Sequence, residues 1–96
     1  MITTNEPGLY IEGKFGIRLE NEILCEMDET NEYGDFLRFQ TISYVPFDSD
    51  CIKPSLLTKA EKDWLNDYHE LVYKKISRTL SKPERDWLKE LCAPIK

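Results

Sequence analysis

The sequence predicts an α+β fold, in which a small antiparallel sheet is followed by a hairpin of two helices. In the first half of the chain, short runs of alternating, β-branched and aromatic residues are separated by turn residues, a pattern typical of strands. In the second half, apolar residues recur at helical spacing, which indicates helices that bury one face. Hydrophobic residues make up 41% of the chain and charged residues 32%, which favours a globular domain over disorder.

A β-hairpin is predicted near the start of the chain. The segments Leu9–Glu12 and Phe15–Glu20 flank Gly13 and Lys14. Glycine permits the positive φ that tight hairpin turns require. These two segments are therefore the first two predicted strands.

Two further strands are predicted before the first helix. Ile23–Glu29 alternates with a period of two, which is typical of a strand with one buried face. Thr30–Asp35 is polar and contains glycine, so we interpret it as a loop. The following residues are rich in aromatic and β-branched side chains up to Pro46, which predicts a fourth strand.

Two capping patterns mark the predicted helices. Thr58 and Glu61 fit a capping box, in which each side chain satisfies a backbone N–H of the first turn. The helix that they begin is expected to run to about Leu80. Ser81 and Glu84 repeat the pattern and predict a second, shorter helix.

Charge, cysteine content and hydropathy limit the class of protein. The net charge of -5 disfavours nucleic acid and anionic membranes as partners. No segment resembles a signal peptide or approaches the length of a membrane span. Cys25, Cys51 and Cys92 are odd in number and widely spaced, so we expect reduced thiols in a cytoplasmic protein.

Two glutamates of the opening segment, Glu6 and Glu20, are candidate metal ligands. If the hairpin pairs residues of equal parity, Glu6, Tyr10, Arg18 and Glu20 project from one face. Carboxylate oxygens suit hard and borderline divalent ions. Spacing alone leaves two interpretations open, a metal site and a solvated strand face, and the second is the more common origin of such a pair.

The residues around these glutamates resemble a known family signature. The segment TNEPGLYIEGKFGIRLEN resembles the motif of aminopeptidase P, the Xaa-Pro aminopeptidases of the pita-bread metallopeptidase fold. The segments FQTISYVPFD and IKPSLLTKAEKDWLNDYHELV resemble the C-terminal extension of larger members. The resemblance implies that residues 1–47 are the C-terminal strands of the pita-bread catalytic domain and that residues 48–96 are a C-terminal helical extension.

The resemblance also implies roles for the four residues. Glu6 would be a metal ligand, and Glu20 would bridge two ions, usually manganese, with zinc or cobalt as alternatives. Tyr10 and Arg18 would support the charge and geometry of the site. The full-length parent would then remove an N-terminal residue that precedes proline, so that its partners are proline-containing peptides.

The family's remaining ligands, two aspartates and a histidine, come from segments upstream of the Glu-Pro-Gly motif that this sequence does not contain. We therefore expect a C-terminal piece, produced as a fragment or encoded by a truncated frame, and an internal methionine of the family at the position of Met1 agrees with this. Such a piece would have weak or absent metal affinity, no catalytic residues and no activity alone. The alternative is a free-standing, non-catalytic interaction or dimerisation module. In the family fold the sheet continues into strands of the missing half, so we expect an uncovered sheet edge here and therefore a homo-oligomer.

Histidine and the aromatic residues of the helices have a plainer interpretation. His69 lies within an amphipathic helix, far along the chain from both glutamates, so we expect a structural or solvated side chain rather than a ligand. Trp64, Tyr68 and Trp87 recur at helical spacing, which favours packing in the core or between helices over an aromatic binding surface.

Overall fold

The computed structural model describes all residues, Met1–Lys96. They form two compact units, Met1–Ser43 and Tyr44–Lys96. The first unit holds five antiparallel strands and the second holds two α-helices. The predicted fold class is confirmed.

The strands of the first unit belong to two ladders. Strand β4 pairs with both β1 and β5 in a three-stranded sheet, and β2 pairs with β3 in a two-stranded sheet. Their bounds are β1 Ile2–Asn5, β2 Gly8–Ile11, β3 Phe15–Arg18, β4 Asn21–Asn31 and β5 Gly34–Thr41. The predicted hairpin and the two later strands are present, but the last strand ends at Thr41 and does not reach Pro46, and β1 was not predicted. Its four residues are too few to show a period of two, and it forms by pairing with β4.

The turn between β4 and β5 is tighter than the predicted loop. Asn31 and Gly34 are cross-strand partners, which leaves only Glu32 and Tyr33 at the tip. The side-chain oxygen of Asn31 accepts a hydrogen bond from the backbone N–H of Tyr33 at 2.8 Å. Gly34 has φ 126°, a value that residues other than glycine rarely adopt. Local turn chemistry therefore extends β4 to Asn31.

The helices begin where the sequence predicts. They are α1, Lys59–Ile76, and α2, Lys82–Leu91, and 3₁₀ turns occupy Ser49–Cys51, Pro54–Leu56 and Ser77–Thr79. Both capping boxes are formed. Helix α1 ends before the predicted Leu80 because the last of these 3₁₀ turns replaces its final turn.

The buried hydrophobic residues all lie in the helical unit. They are Leu65, Tyr68, Val72 and Leu88. Trp64 and Trp87 are 53% and 62% exposed, so the prediction that they pack in the core is wrong. Trp64 instead stacks one face on the Tyr68 ring, with centroids 5.6 Å apart.

Two neighbouring side chains of α1 hold the segment that precedes it. The Tyr68 hydroxyl donates to the carbonyl oxygen of Val45 at 2.7 Å and accepts from the Val45 N–H at 3.2 Å. His69 is fully buried, and its Nε2 accepts from the Phe47 N–H at 3.0 Å. The structural interpretation of His69 is confirmed.

Cys25, Cys51 and Cys92 are all free thiols, as predicted. Neither helix combines the length and apolar character needed to cross a bilayer.

Candidate metal centre

Glu6 and Glu20 lie opposite each other at a break between the two ladders. Asn5 and Asn21 form the last pair of β1 with β4, and Gly8 and Arg18 form the first pair of β2 with β3. The register of the Asn5–Asn21 pair, continued by one residue, places Glu6 opposite Glu20. The register of the Gly8–Arg18 pair, continued by two residues, gives the same placement. The β1–β4 and β2–β3 ladders on either side of the break thus form one long hairpin with a continuous register.

The backbone at this break explains why the ladder is interrupted. Pro7 has no N–H to donate and a fixed φ. Its carbonyl oxygen still accepts a hydrogen bond from the Leu19 N–H at 3.0 Å. The two sides of the hairpin are therefore still hydrogen-bonded at Pro7. Glu6 and Glu20 themselves lie outside regular strand.

The four residues predicted for the site share one face of this hairpin. Arg18 Nε is 3.6 Å from Glu20 Oε2. A hydrogen bond with the Tyr10 side chain, together with the charges of Glu20 and Glu6, raises the pKa of Arg18. Tyr10 and Glu20 thus flank the Arg18 guanidinium, Glu6 lies on the same face, and the condition of equal parity in the register is met.

Two glycines make room for the Tyr10 ring. A Cβ placed on Gly8 would lie 2.7 Å from the Tyr10 hydroxyl oxygen, and one placed on Gly16 would lie 2.6 Å from Cδ1 of the ring. Both distances are too short for any side chain. The ring therefore lies flat across the hairpin, which brings its hydroxyl to Arg18.

The charges of this cluster are open to water. The Arg18 and Glu20 side chains are 57% and 42% exposed. Exposed ion pairs are screened by solvent and contribute little to stability. The arrangement therefore contributes little to the stability of the fold.

The donor set fits part of a coordination shell. Two facing carboxylates offer the oxygen ligands that divalent ions prefer. No group of three or more His, Cys, Asp and Glu side chains in this chain is placed to hold a metal ion. His69 lies in the other unit, where its Nε2 is already engaged by Phe47.

Sequence analysis missed the hydrogen-bonded side chains of Asn21 and Ser43 beside Glu20, which are named the polar clip here. The Ser43 hydroxyl donates to the side-chain oxygen of Asn21 at 3.0 Å and accepts from the Glu22 N–H at 2.9 Å. Asn21 directly follows Glu20 in the motif, which was the only signal for it. Ser43 has no such signal, because it reaches the site through the pairing of β5 with β4.

Comparison with known proteins identifies similar sequences over the whole chain. A family model for the C-terminal region of peptidase M24 matches residues 35–95. A probable Xaa-Pro aminopeptidase P from Arthroderma otae is 46% identical over 99 aligned positions, which cover 98% of this chain and 16% of that protein. One from Coprinopsis cinerea is 41% identical over 100 positions, which cover 99% of this chain and 16% of that protein.

A solved structure has the same fold. The crystal structure of X-prolyl aminopeptidase from Caenorhabditis elegans, described as a cytosolic enzyme with a di-nuclear active site, superposes with a TM-score of 0.84 and 35% identity. The match covers 98% of this chain and 16% of the C. elegans chain. This chain thus spans about a sixth of the length of the relatives that it matches.

Proposed function

The chain belongs to the Xaa-Pro aminopeptidase P family of the M24 peptidases, whose C-terminal region it matches, and from this premise we propose that it supplies part of a two-metal peptidase site. The whole protein would remove an N-terminal residue that precedes proline. This chain contributes two carboxylate ligands and their supports. The observation that carries the proposal is the placement of Glu6 opposite Glu20, with Arg18 between Tyr10 and Glu20 on the same face.

Each residue has a distinct role in this proposal. Glu6 and Glu20 hold divalent ions, manganese first, with zinc or cobalt as alternatives. Arg18 draws the Glu20 carboxylate toward one position, and the Tyr10 hydroxyl orients Arg18. Glu6 and Glu20 would hold the ions, which would supply the activation of water and the polarisation of the peptide carbonyl.

The same donor set leads us to propose that this chain is inactive and binds metal weakly when alone. Two carboxylates leave most of the coordination shell to water, which competes for the ion. Equilibrium dialysis with manganese is expected to show no tight site. Two ions retained per chain after desalting would contradict the proposal.

Activity is tested directly on the purified chain. Incubated with Xaa-Pro peptides and manganese, zinc or cobalt, it is expected to release no N-terminal residue. Glu20→Ala is the matched variant. Turnover by the native chain that this variant abolishes would show that the chain is active alone and that the ligand assignment is right. Turnover that persists in the variant would overturn both the proposed inactivity of the chain and the assignment of Glu20 as a ligand.

Self-association is a second candidate role, favoured by the exposure of paired apolar side chains in the strands. These side chains are 39% to 61% exposed, and they belong to Leu9, Ile11, Phe15, Ile17, Met27, Leu37 and Phe39. Exposed apolar strands tend to pair with another copy. A homodimer would form through these strands, or through the helices that carry Trp64 and Trp87.

Light scattering at micromolar concentration tests this role. A homodimer has twice the 11.3 kDa mass of one chain. A folded monomer, recognised by its mass and by dispersed amide signals, would exclude self-association. Double substitution of Trp64 and Trp87 by serine separates the two surfaces, because only a dimer formed through the helices would dissociate.

We further propose a cytoplasmic location, in line with the cytosolic C. elegans relative. Proline-containing peptides would be the substrates of the whole protein. The acidic net charge of -5 offers no attraction for nucleic acid or anionic membranes. Binding of the chain to anionic vesicles at low salt would contradict this.

A further inference from the structure

The polar clip formed by Asn21 and Ser43 lies beside the break that carries the carboxylates. Asn21 is the one buried residue of the unit Met1–Ser43, with 9% exposure, in a region where the large hydrophobic side chains are exposed. A buried polar side chain in such a place is held by hydrogen bonds. One of these is donated by the Ser43 hydroxyl at 3.0 Å.

Ser43 also fixes the backbone on the far side of Asn21. Its hydroxyl oxygen accepts from the Glu22 N–H at 2.9 Å, and the Ile42 N–H donates to the Glu22 carbonyl oxygen at 2.9 Å. The first two residues of β4 are therefore hydrogen-bonded to Ile42 and Ser43, the two residues that follow β5. Strand β4 cannot shift at this point without breaking these hydrogen bonds.

These hydrogen bonds lie next to both glutamates along the hairpin backbone. Glu20 directly precedes Asn21, and Glu6 directly follows Asn5, the cross-strand partner of Asn21. Neither glutamate is part of a ladder. Their backbone positions depend on the pairs that flank the break, and Asn21 belongs to one of these pairs.

We propose that Ser43 and Asn21 are positioning residues for the carboxylates of Glu20 and Glu6. They act through the start of β4 and touch no metal. The proposal rests on the proposed metal role of the two glutamates and adds two residues to it. Loss of a group that orients metal ligands typically weakens affinity tenfold or more.

The test measures manganese binding to the full chain by paramagnetic broadening of backbone amide signals next to Glu6 and Glu20, a method that detects weak sites. Ser43→Ala is expected to weaken binding about tenfold. Ser43→Thr keeps the hydroxyl and is expected to restore it. Thr30→Ala is the matched control, because it removes a hydroxyl bonded to Asp35 at 3.0 Å at the other end of the same strand pair.

Failure of the metal assignment and failure of this proposal give different results. Broadening that persists in Glu20→Gln overturns the ligand assignment. If Glu20→Gln removes the broadening but Ser43→Ala binds like the native chain, the positioning role is wrong. Equal weakening in Ser43→Ala and Thr30→Ala also overturns it, since the effect would then be a general loosening of the sheet.

A second measurement needs no metal. The Arg18 Nε signal reports the position of Glu20, whose carboxylate is 3.6 Å away. It is expected to shift in Ser43→Ala and to stay in place in Thr30→Ala. If Ser43→Ala does not fold, Ser43→Cys replaces it, because a thiol fills the space of the hydroxyl but is a weak donor. An unchanged Arg18 signal in the folded variant overturns the proposal.

Discussion

The helical unit and the sheet unit differ in what holds them together. In Tyr44–Lys96, Leu65, Val72 and Leu88 are buried in one cluster with Tyr68. In Met1–Ser43, only Asn21 is buried, and hydrogen bonds between strands carry the structure. The comparison indicates that the unit with its own core is separate from the unit with the candidate chemistry.

The largest effect expected from this difference is on stability. Leu88 is 4% exposed in the core, whereas Leu37 is 61% exposed on a strand. Leu88→Ala is expected to lower the free energy of unfolding of the helical unit by about 2–5 kcal/mol. Urea unfolding followed by circular dichroism of the helices measures it.

Leu37→Ala is the matched control, with an expected change below about 0.5 kcal/mol. Equal losses in the two variants would mean that both units share one core, and the contrast between them would fail.

A smaller loss is expected from the Tyr68 hydroxyl. It makes two hydrogen bonds to the Val45 backbone, which Tyr68→Phe would leave unpaired. A loss of about 1–3 kcal/mol is expected in the same unfolding experiment. Tyr33→Phe is the control, because Tyr33 is 82% exposed. Matching stabilities for the two variants would show that the segment before α1 is held by packing alone.

Acid is expected to weaken the helical unit through His69. Burial lowers the pKa of His69 below its ordinary value of 6.5, and its Nε2 must be unprotonated to accept from Phe47. The unfolded chain therefore binds more protons than the folded chain as the pH falls below 6.5. The stabilisation is complete above that value and is lost as the pH drops through the lower folded pKa.

Unfolding midpoints measured across this pH range test the prediction. His69→Gln, which does not titrate, should remove the extra acid sensitivity. The prediction is wrong if the native chain and the variant show the same dependence on pH.

The smallest effect on stability is expected at the candidate site itself. Arg18 is solvent-exposed, and its interaction with Glu20 is screened by water. Arg18→Ala is expected to leave the unfolding midpoint of each unit unchanged while the Glu20 side-chain signals shift. A lower midpoint for the sheet would mean that the charge cluster is structural.

Sequence analysis predicted what local chemistry determines. The capping boxes at Thr58 and Ser81 and the turn at Gly13 depend on neighbouring residues, so they could be found without a structure. The motif also identified the residues that now surround Arg18. The sequence does not show which residues pair when they are far apart along the chain. Strand β1 and the hydroxyl of Ser43 are defined by contacts with β4, about twenty residues away in sequence.

Burial was the other quantity that the sequence could not settle. Helical spacing predicts which residues share a face, and it placed Tyr68 in the core correctly. It does not say where that face ends. Trp64 and Trp87 lie far enough around their helices to remain more than half exposed.

The location of the two tryptophans decides what an optical experiment on this protein can detect. Both belong to the helical unit, so intrinsic indole fluorescence reports only on that unit. The hairpin that carries Glu6 and Glu20 could rearrange without a change in the emission spectrum. A tryptophan placed at Tyr33, at the exposed tip between β4 and β5, would give the sheet its own emission signal.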